Sequence, residues 1–121
     1  MTRRVLVADD NADAADSLAM LLQVRGDEVQ VAYDGEEAVE AERLFRPDVL
    51  LLDIGMPKLS GYEVARRVRE LRGPSILIVA ITGWGQEEDR QRARAAGFDH
   101  HFTKPVDYAA LLEVIDRARP P

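Results

Sequence analysis

The chain has no cysteine, which excludes a disulfide framework and a thiolate metal site. It also lacks long apolar runs. The longest, Ile76 to Ile81, has six residues, far short of the roughly 20 that a membrane-spanning helix needs. Residues 1–4 lead straight into a strand pattern, with no signal-peptide pattern, so a cytoplasmic protein is expected. Positive charge is in deficit. The net charge is −6, which argues against nonspecific binding to nucleic acid or an anionic membrane. Lysine is scarce: of sixteen basic residues only Lys58 and Lys104 are lysine. No glycine-rich phosphate loop follows the first strand pattern, and Gly83-Trp84-Gly85 is too short for a dinucleotide fingerprint.

What is present is ordinary for a soluble globular chain: 121 residues, 46% hydrophobic and 31% charged. That length suggests one domain, residues 1–121, with a single core. Arg4–Ala8 is a short apolar run that stops at Asp9-Asp10-Asn11. Ala15, Leu18, Ala19 and Leu22 then recur at helical spacing, and Gly26 stops that helix. Glu28–Ala32 alternates like an edge strand. Asp34-Gly35 reads as a turn before a helix over 36–45. Ala38, Ala41 and Phe45 face inward there, with Val39 and Leu44 as further candidates. Val49–Leu52 is a buried strand that ends at Asp53 and the turn Ile54-Gly55-Met56-Pro57. Ser60-Gly61 opens a third helix with Val64, Ala65, Val68 and Leu71 inward. Its arginines, Arg66, Arg67, Arg69 and Arg72, read as a solvated face. Ile76–Ile81 shows no alternation, the mark of a strand covered on both faces. A polar helix over 86–96, inward chiefly through Ala93 and Ala96, gains little from burial and is expected to be loosely held; Arg90, Arg92 and Arg94 read as solvated. His100–Thr103 is a last short strand. Asp107 caps a final helix whose stripe is Tyr108, Leu111, Leu112 and Ile115.

Strand and helix thus alternate five times at spacings of 20 to 28 residues. That pattern implies an α/β fold with a parallel sheet and helices on both faces. In such sheets ligands bind beyond the carboxyl ends of the strands, where strand order reverses. Four strands end in chemistry: Asp9-Asp10, Asp53, Thr82 and Lys104. Each alone has a plainer reading, as a helix cap, a first loop residue, a turn residue or a solvated lysine. Together they make a different case. Carboxylates at about 4 Å repel by roughly 1 kcal/mol per pair even in water, and one lysine is too little to balance three. A hard divalent cation resolves the conflict. Mg²⁺ suits one or two carboxylates, a backbone carbonyl and waters, with phosphate oxygen completing its shell. Carboxylate, metal, hydroxyl and ammonium are what in-line phosphoryl transfer requires, and aspartate is an established nucleophile for it.

With Asp9-Asp10, Asp53, Met56-Pro57, Thr82-Gly83 and Lys104-Pro105 in place, the chain resembles the receiver domain of bacterial two-component response regulators, over essentially its full length. The resemblance implies a flavodoxin-like sheet of order 2-1-3-4-5 with five helices. It implies that Asp53 accepts a phosphoryl group from a phosphohistidine on a sensor histidine kinase or a histidine phosphotransfer protein. It implies Mg²⁺ (or Mn²⁺) held by Asp10, Asp53 and the Gly55 carbonyl, with Asp9 acting through water. Lys104 would pair with the phosphoryl oxygens, Pro105 would follow a cis bond, and Thr82 would carry the fourth helix toward an altered partner face. A module of this kind catalyses only its own phosphorylation and dephosphorylation, as a monomer or weak dimer, without direct nucleic-acid or membrane contact. The segments 82–89 and 98–102 resemble receivers of hybrid sensor kinases. A stand-alone regulator and a receiver from a longer chain both remain open.

One departure bears on the switch. Three residues before Lys104 the family often carries an aromatic that swings inward with the threonine. Here His101 holds the place, either as a pH-sensitive substitute or pointing to solvent. His100 and His101 alternate across a strand, so a histidine metal site is not expected. Gly55 and Trp84 flank the phosphoryl position and would tune water access. Two other readings stand beside the receiver. A Mg²⁺-dependent aspartyl-phosphate phosphohydrolase usually needs an acid two residues after the nucleophile, where this chain has Gly55. A flavin or nucleotide binder on the same sheet would meet an acidic first loop that repels phosphate.

Overall fold

The structure is a computed structural model that describes residues 3–56, 58–83 and 87–117, apart from the side chains of 87 and 88. In chain order the elements are β1 (Arg4–Ala8), α1 (Ala12–Val24), β2 (Glu28–Ala32), α2 (Gly35–Phe45), β3 (Val49–Asp53) and α3 (Gly61–Arg72). A 3-10 turn (Gly73–Ser75) follows, then β4 (Leu77–Thr82), α4 (Glu87–Ala96), β5 (His100–Thr103) and α5 (Tyr108–Asp116). The strands are parallel in the order β2-β1-β3-β4-β5. No helix among the described residues is long and apolar enough to cross a membrane.

Burial follows the strand patterns. β1, β3 and β4 lack alternation and lie inside the sheet, while β2 is an edge with Glu28 and Gln30 exposed. Side-chain alternation along β3 divides the core. Leu50 and Leu52 pack with Phe45, Tyr62, Val64 and Phe98 under α2, α3 and α4. Val49 and Leu51 pack with Leu18, Leu22, Leu111 and Ile115 under α1 and α5. Each such side chain contributes about 1.5–3 kcal/mol by leaving water. Four helices start on a side-chain cap: Asn11, Asp34, Ser60 and Asp107 accept from the N–H groups of Ala14, Glu37, Glu63 and Ala110, each worth about 1 kcal/mol.

Several expectations need correction. Leu44 and Leu71 are 66% and 74% exposed, and Tyr108 is 50% exposed. All three lie in terminal turns of their helices, where the apolar stripe runs past the element it packs on. Val114 is buried in the α5 stripe instead. Arg69 and Arg72 are not a solvated face. The Arg72 side chain is 11% exposed and pairs with Glu42, 4% exposed, across the α2–α3 contact. Arg69 reaches the carbonyls of Gly73, Ile76 and Gly97 and the Asp99 carboxylate. Lys58, in the β3–α3 loop, pairs with the cap residue Asp34 at 3.3 Å.

Gly35 is also more than a turn residue. It begins α2, and a Cβ there would sit 2.1 Å from the Leu59 carbonyl oxygen. A Cβ on Gly61 would sit 2.6 Å from the Ile54 Cα and 2.8 Å from the Asp53 carbonyl oxygen. The start of α3 thus presses directly on the backbone that leaves β3.

Candidate functional site

The register of the sheet brings the chemical residues together. Ala8 pairs with both Ala32 and Leu52, so Asp9 and Asp53 emerge at the same level from adjacent strands. Asp53 lies opposite Ile81, and Thr82 opposite Thr103, one residue before Lys104. β2 is on the far side of β1, so the strand order reverses between β1 and β3, where Asp9 and Asp53 emerge. Carboxylate oxygens of Asp9, Asp10 and Asp53 all lie within 4.8 Å of one another.

Local hydrogen bonds orient them. The Asp9 N–H donates to the Ala32 carbonyl at 3.0 Å, which holds the turn after β1 to the sheet. Asp9 Oδ1 accepts from the Asn11 N–H at 3.0 Å, and its Oδ2 faces Lys104 Nζ at 3.5 Å. Asp53 Oδ1 accepts from the Gly55 N–H at 3.3 Å. Asp9 is buried, Asp53 half-buried and Asp10 exposed. Of the three residues in this loop it is Asn11 that caps α1, so neither aspartate is used as the cap.

Burial, and then the charge of Asp9, push the Asp53 carboxyl up to about 6; the Gly55 N–H and Lys104 offset this in part. The cluster thus carries more negative charge than its surroundings balance. A bound cation would relieve that repulsion. Hard carboxylate oxygens so close together fit Mg²⁺ or Mn²⁺.

Thr82 is buried, and its carbonyl accepts from the Lys104 N–H at 2.7 Å. The ends of β4 and β5 are therefore tied together, and the Lys104–Pro105 bond is cis. His101 pairs in register with Ala80, on the sheet face that α4 covers. Both its ring nitrogens are buried and have no hydrogen-bond partner, so the side chain does not point to solvent. Burial, and then the nearby Arg90, lower its pKa. His100, its neighbour, is exposed. Trp84 and Pro57 lie outside the described residues.

Two features near the site carry little sequence signal. One is Gly61, whose role depends on the close approach of α3 to Asp53. The other is a cavity of about 290 Å³ that opens beside Asp9, Asp53 and Lys104 and runs between α1 and the loop that leads into α5. Only tertiary packing reveals it.

Comparison with known proteins agrees with this geometry. The family model for the response regulator receiver domain matches residues 5–116. The chain is 38% identical over 114 residues to an uncharacterized 14.6 kDa protein of Leptolyngbya boryana, covering 93% of this chain and 87% of that one. It is 38% identical over 119 residues to the response regulator MprA of Mycobacterium ulcerans, covering 98% of this chain and 50% of that regulator. The chain thus spans about half the length of the MprA regulators it matches. A crystal structure of a CheY-like response regulator receiver domain protein from Methanospirillum hungatei superposes with a TM-score of 0.89 at 29% identity, covering 96% of this chain and 92% of that one. The chain belongs to the response regulator receiver domain family of two-component systems.

Proposed function

We propose that residues 1–121 act as one receiver domain in the cytoplasm, whose Asp53 takes a phosphoryl group from a phosphohistidine. The donor would be a sensor histidine kinase or a histidine phosphotransfer protein. The observation that carries this reading is the cluster itself: three carboxylates within 4.8 Å, with the Lys104 ammonium 3.5 Å from one of them.

Asp10, Asp53 and the Gly55 carbonyl would hold Mg²⁺ directly, and Asp9 through water. When bound, that ion neutralises charge on the carboxylates and on the phosphoryl oxygens. The protein's own groups do the rest. The Gly55 N–H holds Asp53 Oδ1, and the carboxylate's other oxygen is the nucleophile. That oxygen forms the new bond to phosphorus as the bond from phosphorus to the donor imidazole nitrogen breaks, and the electron pair leaves with the imidazole. Lys104, anchored at its N–H by the Thr82 carbonyl, faces the equatorial oxygens with a point charge. The Thr82 hydroxyl donates to one of them once they are present. That movement, with His101 beneath α4, would shift the face formed by α4, β5 and α5 on which a partner docks. Gly55 offers no acid or base two residues after Asp53, so turnover of other substrates is not part of this reading.

The test is direct. Incubation with Mg²⁺ and acetyl phosphate should add one phosphoryl group by intact mass, and Asp53→Asn should abolish the gain. Phosphorylation that survives this substitution would sink the assignment.

A further inference from the structure

A second cavity, of about 330 Å³, lies between α4 and β5. Ala93 and Phe98, both buried, form its base. Arg90 and Arg94 of α4 line one side, and His100 and His101 of β5 the other. Asp99 is the only carboxylate that lines it among the described residues. That carboxylate is already engaged: its Oδ2 takes the Arg69 guanidinium and the Ile78 N–H, both at 2.9 Å. Of the three arginines of α4, Arg92 lies over the Tyr62 ring at 4.3 Å. Arg90 and Arg94 form no hydrogen bond or ion pair among the described residues. They stand four residues apart, which makes them neighbours on the helix surface. Both His101 ring nitrogens are buried without a partner, and a buried donor with no acceptor is costly. The chain carries a net charge of −6, yet this cavity is locally positive.

We propose that this cavity receives an acidic segment of a partner protein, with two carboxylates one helical turn apart set against Arg90 and Arg94. The proposal rests on reading the face formed by α4, β5 and α5 as the one on which a partner docks, and it names that partner's chemistry. One of the carboxylates, entering between α4 and β5, gives the His101 ring the acceptor it lacks. An apolar segment in the same place leaves Arg90, Arg94 and His101 unanswered. At physiological ionic strength exposed charges more than about 8 Å apart are largely screened. The local sign of the cavity, and not the charge of the whole chain, therefore decides what docks there. Complementarity of this kind contributes to specificity more than to raw affinity.

The probe is a fluorescein-labelled helical peptide with glutamates at positions i and i+4, compared with peptides carrying glutamines or lysines there. Binding to the full chain is read by fluorescence anisotropy at about 150 mM salt, with and without acetyl phosphate and Mg²⁺, while intact mass reports loading of Asp53. Wild type should bind the glutamate peptide about 10-fold more tightly than the glutamine peptide. Arg90→Glu/Arg94→Glu should lose that preference and favour the lysine peptide. His101→Phe should weaken binding of the glutamate peptide about 5-fold. Melting temperature and helix content confirm that both variants are folded. Equal affinity of wild type for the glutamate and glutamine peptides, or no measurable binding in either condition, overturns the proposal. Unchanged affinity in His101→Phe also overturns it, because the arginines then act as a solvated patch outside the cavity. Tighter binding of a single-stranded oligonucleotide, or self-association in sedimentation that the arginine substitutions abolish, overturns it in favour of another partner. Asp53 loading without peptide binding sinks the acidic partner and leaves the phosphoacceptor reading intact. Peptide binding by a wild type that does not load overturns the phosphoacceptor reading alone.

Discussion

Arg72 and Glu42 give the sharpest test of how the helices on one sheet face are held. Glu42 is 3% exposed, and its carboxylate receives the Arg72 guanidinium. Arg72 also donates to the Pro47 carbonyl at 3.0 Å and to Ser75 Oγ at 3.3 Å. Arg72→Met keeps the aliphatic stem and removes the charge. The carboxylate is then buried without a partner, which costs about 3–5 kcal/mol. For a domain of this size that lowers Tm by roughly 10–20 °C. The double variant Glu42→Leu/Arg72→Met removes both charges together. The Pro47 carbonyl is then left short of a donor, while the exposed Ser75 Oγ turns to water, so the cost falls to about 1–2 kcal/mol. Urea unfolding of wild type, both single variants and the double gives the coupling energy through a double-mutant cycle. Additive losses, or a single Arg72→Met loss below about 1 kcal/mol, would refute the argument that the pair is buried and mutually dependent.

Asp53→Asn should stabilise the metal-free protein above neutral pH. The folded state raises this carboxyl from 3.8 to about 6, so its charge costs stability as pH rises through that window and the cost is fully present above it. The side chain is partly exposed, and after solvent screening the gain is on the order of 1 kcal/mol at pH 8 and vanishes near pH 4; denaturant unfolding at the two pH values measures it. Mg²⁺ should raise Tm at pH 8 and much less at pH 5, where the cluster is partly protonated, and Asp10→Asn should remove most of the effect in a thermal melt. His101 has a lowered pKa from burial, so its contribution is kept above pH 6.5 and lost as pH falls from 6.5 toward the folded value. His101→Phe should therefore lose less stability than wild type on acidification, and identical profiles would count against a buried ring. Gly61→Ala forces its new methyl into the backbone at Ile54 and Asp53. It should both lower Tm and slow acetyl phosphate loading, the latter measured by intact mass.

Most of the site could be located in the sequence because its residues terminate apolar runs. A strand is recognisable from Val49-Leu50-Leu51-Leu52 alone, and the residue after it must stand at the sheet's carboxyl edge. The same holds for Asp9 and Thr82, whereas Lys104 follows the short, mostly polar strand His100–Thr103. The helix starts were legible for a similar reason, since Asp107 and Ser60 act within one turn of chain. The failures were all at long range. Arg69 and Arg72 looked solvated because helical periodicity assigns a face but not what another helix brings to it. Leu44, Leu71 and Tyr108 followed the periodicity and lay beyond the core's edge.

The sequence by itself determined the alternation of strands and helices, the parallel sheet and the identity of the residues at its edge. These depend on local pattern, on backbone sterics and on the handedness of crossovers. Only the tertiary structure decided how close the carboxylates come, how far Asp53 is pushed toward neutrality, and which way His101 faces. It alone showed the buried Arg72–Glu42 pair and the space between α1 and the loop that leads into α5. Those properties arise where elements distant in the chain meet, and burial and Coulomb energy depend on distances that no local pattern encodes.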